Sequence, residues 1–152
     1  MHISDLRKTI WAISREIAEN MNNIYTPIAE QYGLTLMQVR ILLELLNNEE
    51  HTVGRLGKCV NMAGGNISAM CKKLEKMGLV KRSRSLDDER VVKVSLTKKG
   101  FQTAVKIEQA LNQRYLSCLQ SETEETLNQI ILSLQEYNEL LKKISLTDGD
   151  SI

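Results

Sequence analysis

Residues 61–100 read NMAGGNISAMCKKLEKMGLVKRSRSLDDERVVKVSLTKKG. Ile67, Met70, Cys71, Leu74 and Met77 recur at three- and four-residue steps, the spacing of one helical face. Gly78 follows directly, where a helix commonly stops. Leu79 to Arg84 and Val91 to Leu96 then read as two short strands. In the second, Val92, Val94 and Leu96 alternate with Lys93 and Ser95, as in a sheet with one buried face. Between them, Ser85 to Arg90 is a polar turn. A helix that feeds a charged two-stranded ribbon is the working end of a winged helix-turn-helix.

Working upstream, Thr52 starts a short helix with Val53, Leu56 and Val60 on one face, and Asn61-Met62 makes the turn into the helix of residues 63–77. Gly57 weakens that short helix but permits close packing. Thr35 and Gln38 have the spacing of a capping box, in which each side chain satisfies an orphan amide of the other residue. The helix they open turns Val39, Leu42, Leu43 and Leu46 inward. Farther out, Leu6, Ile10, Ile13, Ile17, Met21, Ile24 and Ile28 stripe residues 4–31, with Ser4 or Asp5 available as cap, Pro27 to kink or break the helix, and Gly33 to end it.

Downstream, Thr97 is a candidate cap, although Gly100 stands where a capping box needs Glu or Gln. Residues 98–120 carry Ala104, Val105, Ile107, Leu111, Tyr115 and Leu119 on one face. A last helix, to about Ile144, carries Leu127, Ile130, Ile131, Leu134, Tyr137, Leu141 and Ile144. The expected fold is mainly α with a small β wing. Residues 34–100 form the winged helix-turn-helix lobe, 1–33 and 101–146 serve as dimerisation helices, and 147–152 form a disordered tail. For the terminal stripes, a helix folded over its own core is the alternative to a dimer arm.

Composition narrows the function. The 152 residues are 42% hydrophobic and 26% charged, which suits one soluble globular domain. No apolar run approaches the ~20 residues of a membrane span, and the first residues lack the pattern of a signal peptide, so the expected location is the cytoplasm. His2 and His51, the two histidines, sit in no nucleophile, metal or phosphate-loop pattern, so neither an enzyme nor a bound cofactor is expected. Cys59, Cys71 and Cys118 form neither a disulfide framework nor a zinc motif. They read as small core residues, Cys59 and Cys71 on inward helix faces; an exposed redox-sensing thiol is the alternative. The net charge is +1, yet residues 55–100 hold twelve Lys or Arg against four acidic residues. A basic middle between acidic arms points to a polyanion-binding face rather than to ordinary solvated charge.

Three further pieces carry a family resemblance. Leu74-Glu75-Lys76-Met77-Gly78-Leu79-Val80-Lys81-Arg82, Asp88-Glu89-Arg90 and Val94-Ser95-Leu96-Thr97-Lys98-Lys99-Gly100 follow L-E-x-x-G-L-V-x-R, D-x-R and V-x-L-T-x-x-G at the right separations. Gly33-Leu34-Thr35 with Gln38 matches G-L-T-x-x-Q. The chain resembles the MarR family of transcriptional regulators. The resemblance implies a dimeric, ligand-responsive repressor on a pseudo-palindromic operator, with residues 63–77 in the major groove and the 85–90 wing in the minor groove. A winged-helix module that binds protein instead of DNA is the alternative.

On that reading Gly65, Ser68, Ala69 and Lys72 form the outward face of the recognition helix, with Asn66 and Lys73 at its edges. Small residues there admit close approach, and the lysines, with Arg82 and Arg84, can hold phosphate. Asn66 either reads an adenine edge or bonds locally at the helix start. By resemblance Arg90 enters the minor groove and Asp88 helps hold the wing's arginines. The sequence departs from the family at Ala63, where a capping Ser or Thr is expected, and at Gly64-Gly65, which replaces a polar pair. A phenolic or other amphipathic effector is likewise implied only by resemblance; Trp11, Tyr25, Tyr32 and Tyr115 are its candidate contacts, with plain packing as the alternative.

Overall fold

The computed structural model describes residues 2–48, 50–85, 88 and 90–146. The expected tail, 147–152, lies outside these residues, as do Leu86, Asp87 and Glu89 of the wing turn. Helix α1 (Ile3–Gln31) is continuous through Pro27, which forgoes only its own bond back to Asn23. Its N-cap is His2, without a side-chain cap, so neither Ser4 nor Asp5 has that role. Asp5 lies instead in the first turn, where a negative charge suits the helix dipole.

Helix α2 (Leu36–Asn47) opens on the capping box: Thr35 N donates to Gln38 Oε1 at 2.8 Å and Gln38 N to Thr35 Oγ1 at 3.3 Å. Its buried residues include Val39 and Leu42, but also Ile41 and Leu45, whereas Leu43 and Leu46 are half-buried. The buried arc is wider than the sequence stripe because α2 touches α1 on one side and residues 53–59 and 92–96 on the others.

Strand β1 (Glu50–Thr52), helix α3 (Val53–Cys59), helix α4 (Gly64–Lys76), β2 (Val80–Arg84) and β3 (Val92–Leu96) complete the lobe. The antiparallel sheet has the order β1-β3-β2, with His51 and Arg82 both opposite Val94. β1 has no counterpart in the sequence reading. Ile28, Leu34, Leu42, Leu56, Ile67, Leu74, Val94 and Ile107 belong to one buried cluster.

Helix α5 (Lys98–Leu119) starts at Thr97, whose hydroxyl accepts from Gly100 N at 3.0 Å. Gly100 replaces the capping-box side chain for a steric reason: a Cβ there would stand 1.8 Å from the Leu79 carbonyl oxygen. The chain divides into two units, residues 1–113 and 114–152. The second holds the end of α5 and helix α6 (Glu124–Leu146), whose first turn is capped by Thr123 Oγ1 accepting from Thr126 N. No residue of α6 is buried, and Ile130, Ile131, Leu134, Leu141 and Ile144 are all exposed. Leu6, Trp11, Ile13 and Ile17 of α1 are exposed as well.

Cys71 follows expectation, whereas Cys59 and Cys118 depart from it. Cys71 is fully buried, and its burial pushes the thiol pKa up, whereas Cys59 and Cys118 are exposed. α3 is only seven residues long; Leu56 and Gly57 fill its inner face, and Cys59 ends it facing out.

Candidate nucleic-acid interface

The first helix of the motif is fixed by Thr52, whose Oγ1 accepts from Arg55 N at 3.2 Å. At Gly57 the helices come close: a Cβ would lie 2.9 Å from Met62 O and 3.1 Å from Ile67 Cγ2. Met62 N donates back to Gly57 O at 2.8 Å, and Asn61, at φ +53°, turns the chain into α4.

α4 buries Ile67, Cys71 and Leu74 and thereby turns Gly65, Ala69, Lys72 and Lys73 to solvent, with Ser68 half-buried beside them. Its N-cap, Ala63, offers no side-chain bond. Asn66 is exposed and, among the described residues, its side chain makes no hydrogen bond. Gly64 and Gly65 differ from Gly57 and Gly100, since a Cβ at either would meet nothing within 4 Å and neither has a positive φ. Neither the backbone nor the packing of this chain requires glycine there.

The wing closes through Ser85 N to Val91 O at 2.8 Å and Val91 N to Asp88 O at 2.9 Å. Asp88 Oδ1 accepts from the main-chain N of Arg90 at 3.0 Å, so the carboxylate shapes the turn that presents Arg90. Arg84 and Arg90 are exposed. Among the described residues the Arg90 guanidinium has no ion pair, whereas Arg82 pairs with Glu75, Lys93 with Glu50 and Lys142 with Glu139.

Arg82 is placed differently from Arg84. Its side chain is 19% exposed, its Nη1 lies 3.6 Å from Glu75 Oε2, and its main-chain N donates to Glu75 Oε1 at 3.2 Å. An open groove of about 390 Å³ runs between the helices and the wing, lined by Gly54, Ser68, Arg82, Arg90 and Val92 among others. The fold thus brings Ser68 of α4 and Arg90 of the wing, 22 positions apart in sequence, to one groove.

Of the candidate aromatics, Trp11, Tyr25 and Tyr32 belong to the first unit. Tyr25 lines an open cleft of about 380 Å³ with Met21, Arg40, Leu43 and Asn47. Trp11 is 74% exposed, Tyr32 is half-buried, and Tyr115 belongs to the second unit.

Comparison with known proteins follows the same lines. The family model of the transcriptional regulators SarA/Rot matches residues 23–107. An organic hydroperoxide resistance transcriptional regulator of Bacillus subtilis is 35% identical over 91 residues, 60% of this chain and 59% of that protein. The chain spans between about half and three-fifths of the length of the curated relatives it matches. Among solved structures, reduced AbfR bound to DNA superposes with a TM-score of 0.77 at 25% identity, covering 93% of this chain and 95% of that one. A mutant MarR from E. coli complexed with operator DNA shares the fold, with a TM-score of 0.77 at 17% identity over 90% of this chain and 99% of that one.

Proposed function

Because the chain belongs to the SarA/Rot family of transcriptional regulators, we propose that it is a DNA-binding regulator that lays α4 in the major groove and the wing in the adjoining minor groove. The observation that carries this reading is the shared groove of α4 and Arg90, bordered by the small outward face of α4. Lys72, Lys73 and Arg84 flank that face and supply phosphate contacts, which hold register without reading sequence. Arg82 contributes from the groove wall, with Glu75 setting its direction.

The exposed apolar side chains of α1 and α6 favour a homodimer in which these helices are covered. Its half-site centres then lie about one helical turn, roughly 10 bp, apart on a pseudo-palindrome. Repression relieved by an amphipathic ligand, in the cytoplasm, completes the reading. The cleft beside Tyr25 is the candidate place for that ligand.

Fluorescence anisotropy on duplex DNA over a salt series, with sedimentation of the same samples, tests the proposal. A dimer should bind with a steep salt dependence. Lys72→Ala, Lys73→Ala and Arg84→Ala should each flatten the log K against log salt slope by about 0.9 for every phosphate no longer neutralised. Absence of binding at low salt would leave the protein-interaction module as the better reading.

A further inference from the structure

We propose that Glu44, His51 and Cys59 form a binding site for a divalent cation of the zinc class, at the meeting of α2, β1 and α3. The three residues have no motif spacing in sequence, and the fold alone assembles them. One ligand atom of each, a carboxylate oxygen, an imidazole nitrogen and the sulfur, lies within 4.8 Å of the other two. Among the described residues no other group of three such side chains converges in this way.

His51 supplies an independent observation. Its side chain is 1% exposed, and neither ring nitrogen has a hydrogen-bond partner. Nε2 stands 3.2 Å from Glu44 Oε1, but without the alignment of a hydrogen bond. A buried polar atom left unpaired is costly, and native structures seldom keep one without a ligand, ion or water to satisfy it. A cation between Nε2, Glu44 and Cys59 satisfies that nitrogen.

The donor chemistry selects the metal. An imidazole, a thiolate and a carboxylate suit Zn²⁺, whereas Ca²⁺ and Mg²⁺ want oxygen ligands throughout. Donors held at roughly 2.0–2.3 Å around a tetrahedral ion stand about 3.3–3.8 Å apart, so no pair needs to close by more than about 1.5 Å. Ionised Glu44 and Cys59 together balance the ion's charge. Desolvation and the neighbouring Glu44 carboxylate push the Cys59 thiol pKa up, and coordination releases the thiol proton to solvent as the S–metal bond forms. Asn48 Nδ2 donates to Glu44 Oε1 at 3.2 Å and so orients the carboxylate. Access is direct, because Glu44 and Cys59 line the open cleft beside Tyr25. Three protein ligands leave a fourth position for water.

The full-length chain, its thiols kept reduced by a non-chelating phosphine, is titrated with Zn²⁺ in competition with a chromophoric chelator. Co²⁺ replaces Zn²⁺ in a parallel absorption series. One equivalent of Zn²⁺ per chain is expected. Affinity should fall at least about tenfold in both Cys59→Ser and Glu44→Gln, the least that even indirect changes around a metal site cost. The Co²⁺ form should show a thiolate charge-transfer band that Cys59→Ser abolishes. Cys59 is exposed and Glu44 half-buried, so neither variant empties a core position, whereas replacing the buried His51 would open the core. Any smaller fall in either variant, or a wild-type Co²⁺ spectrum without the thiolate band, overturns the proposal.

Discussion

Gly65→Ala should make the protein more stable and a poorer DNA binder. A Cβ at Gly65 meets nothing within 4 Å and the residue lacks a positive φ, so alanine fits the fold without strain. Glycine in a helix costs about 0.5–1 kcal/mol relative to alanine, because its backbone loses more freedom on folding. At ~2–4 °C per kcal/mol for a chain of this size, the melting midpoint should rise by about 1–4 °C. Gly64→Ala should stabilise by a similar amount, since a Cβ there also meets open space. On the proposed reading the added methyl at 65 stands where α4 approaches the groove of DNA. Overfilling a close-packed interface costs about 1–3 kcal/mol, roughly a 5- to 150-fold loss of affinity per subunit. Thermal melts and anisotropy on one palindromic duplex at fixed salt measure both effects. If Gly65→Ala is stabilised yet binds DNA as tightly as wild type, these glycines do not mark the face that meets DNA. If it melts lower, the space around Gly65 is not open to a methyl.

Two further predictions test the wing and the fold. Arg90→Ala should leave the melt and the dimer unchanged but cost about 1–3 kcal/mol of DNA affinity per subunit. Arg90→Lys should restore part of the loss, because a guanidinium suits a narrow minor groove better than an ammonium. Asp88→Ala should be milder, since it loosens the turn at the Arg90 amide and keeps the guanidinium; wild-type binding by Arg90→Ala would refute the wing's role. Gly100→Ala should destabilise by about 3 kcal/mol, near the upper end for overpacking, because its methyl would meet the Leu79 main chain rather than a movable side chain. A denaturant midpoint unchanged from wild type would show that Gly100 is not a steric requirement.

What is legible in the sequence is whatever carries a period or a local signal. The α4 stripe, the β3 alternation and the Thr35–Gln38 box each appear within a residue or two of their expected place. β1 is not legible, because Glu50-His51-Thr52 has no pattern of its own and becomes a strand only by pairing with β3, some forty residues on. Arg82 is legible in principle. The period of two that buries Val80 puts Arg82 on the same face, opposite Val94, yet its charge suggests an exposed phosphate contact. Cys59 departs for the opposite reason: the helical period that would turn it inward runs to the last residue of a helix too short to bury it. The Glu44, His51 and Cys59 cluster depends on β1 and on the end of α3, so no linear pattern leads to it.

The two ends of α4 are held unequally, and the inequality suits the proposed role. At the C-terminal end, Leu79 N donates to Leu74 O at 3.0 Å, Lys99 Nζ to Met77 O at 3.0 Å, and the Thr97 hydroxyl to Gly78 O at 2.7 Å. Glu75 adds its grip on Arg82, so the start of the ribbon and the start of α5 are both fastened to this end. These bonds take up carbonyls that a helix end otherwise leaves without partners. At the other end Ala63 caps nothing, and two glycines raise the entropy cost of the first turn. The first-turn amides there lack side-chain acceptors and carry the positive end of the helix dipole. An anion satisfies such amides directly, so a phosphate at this end supplies the cap that the sequence omits. The helix is therefore aimed from its C-terminus, and on the proposed reading its N-terminus is completed by the DNA backbone. A capping Ser at position 63 would complete that turn within the chain and reduce the difference in order between the free and DNA-bound states.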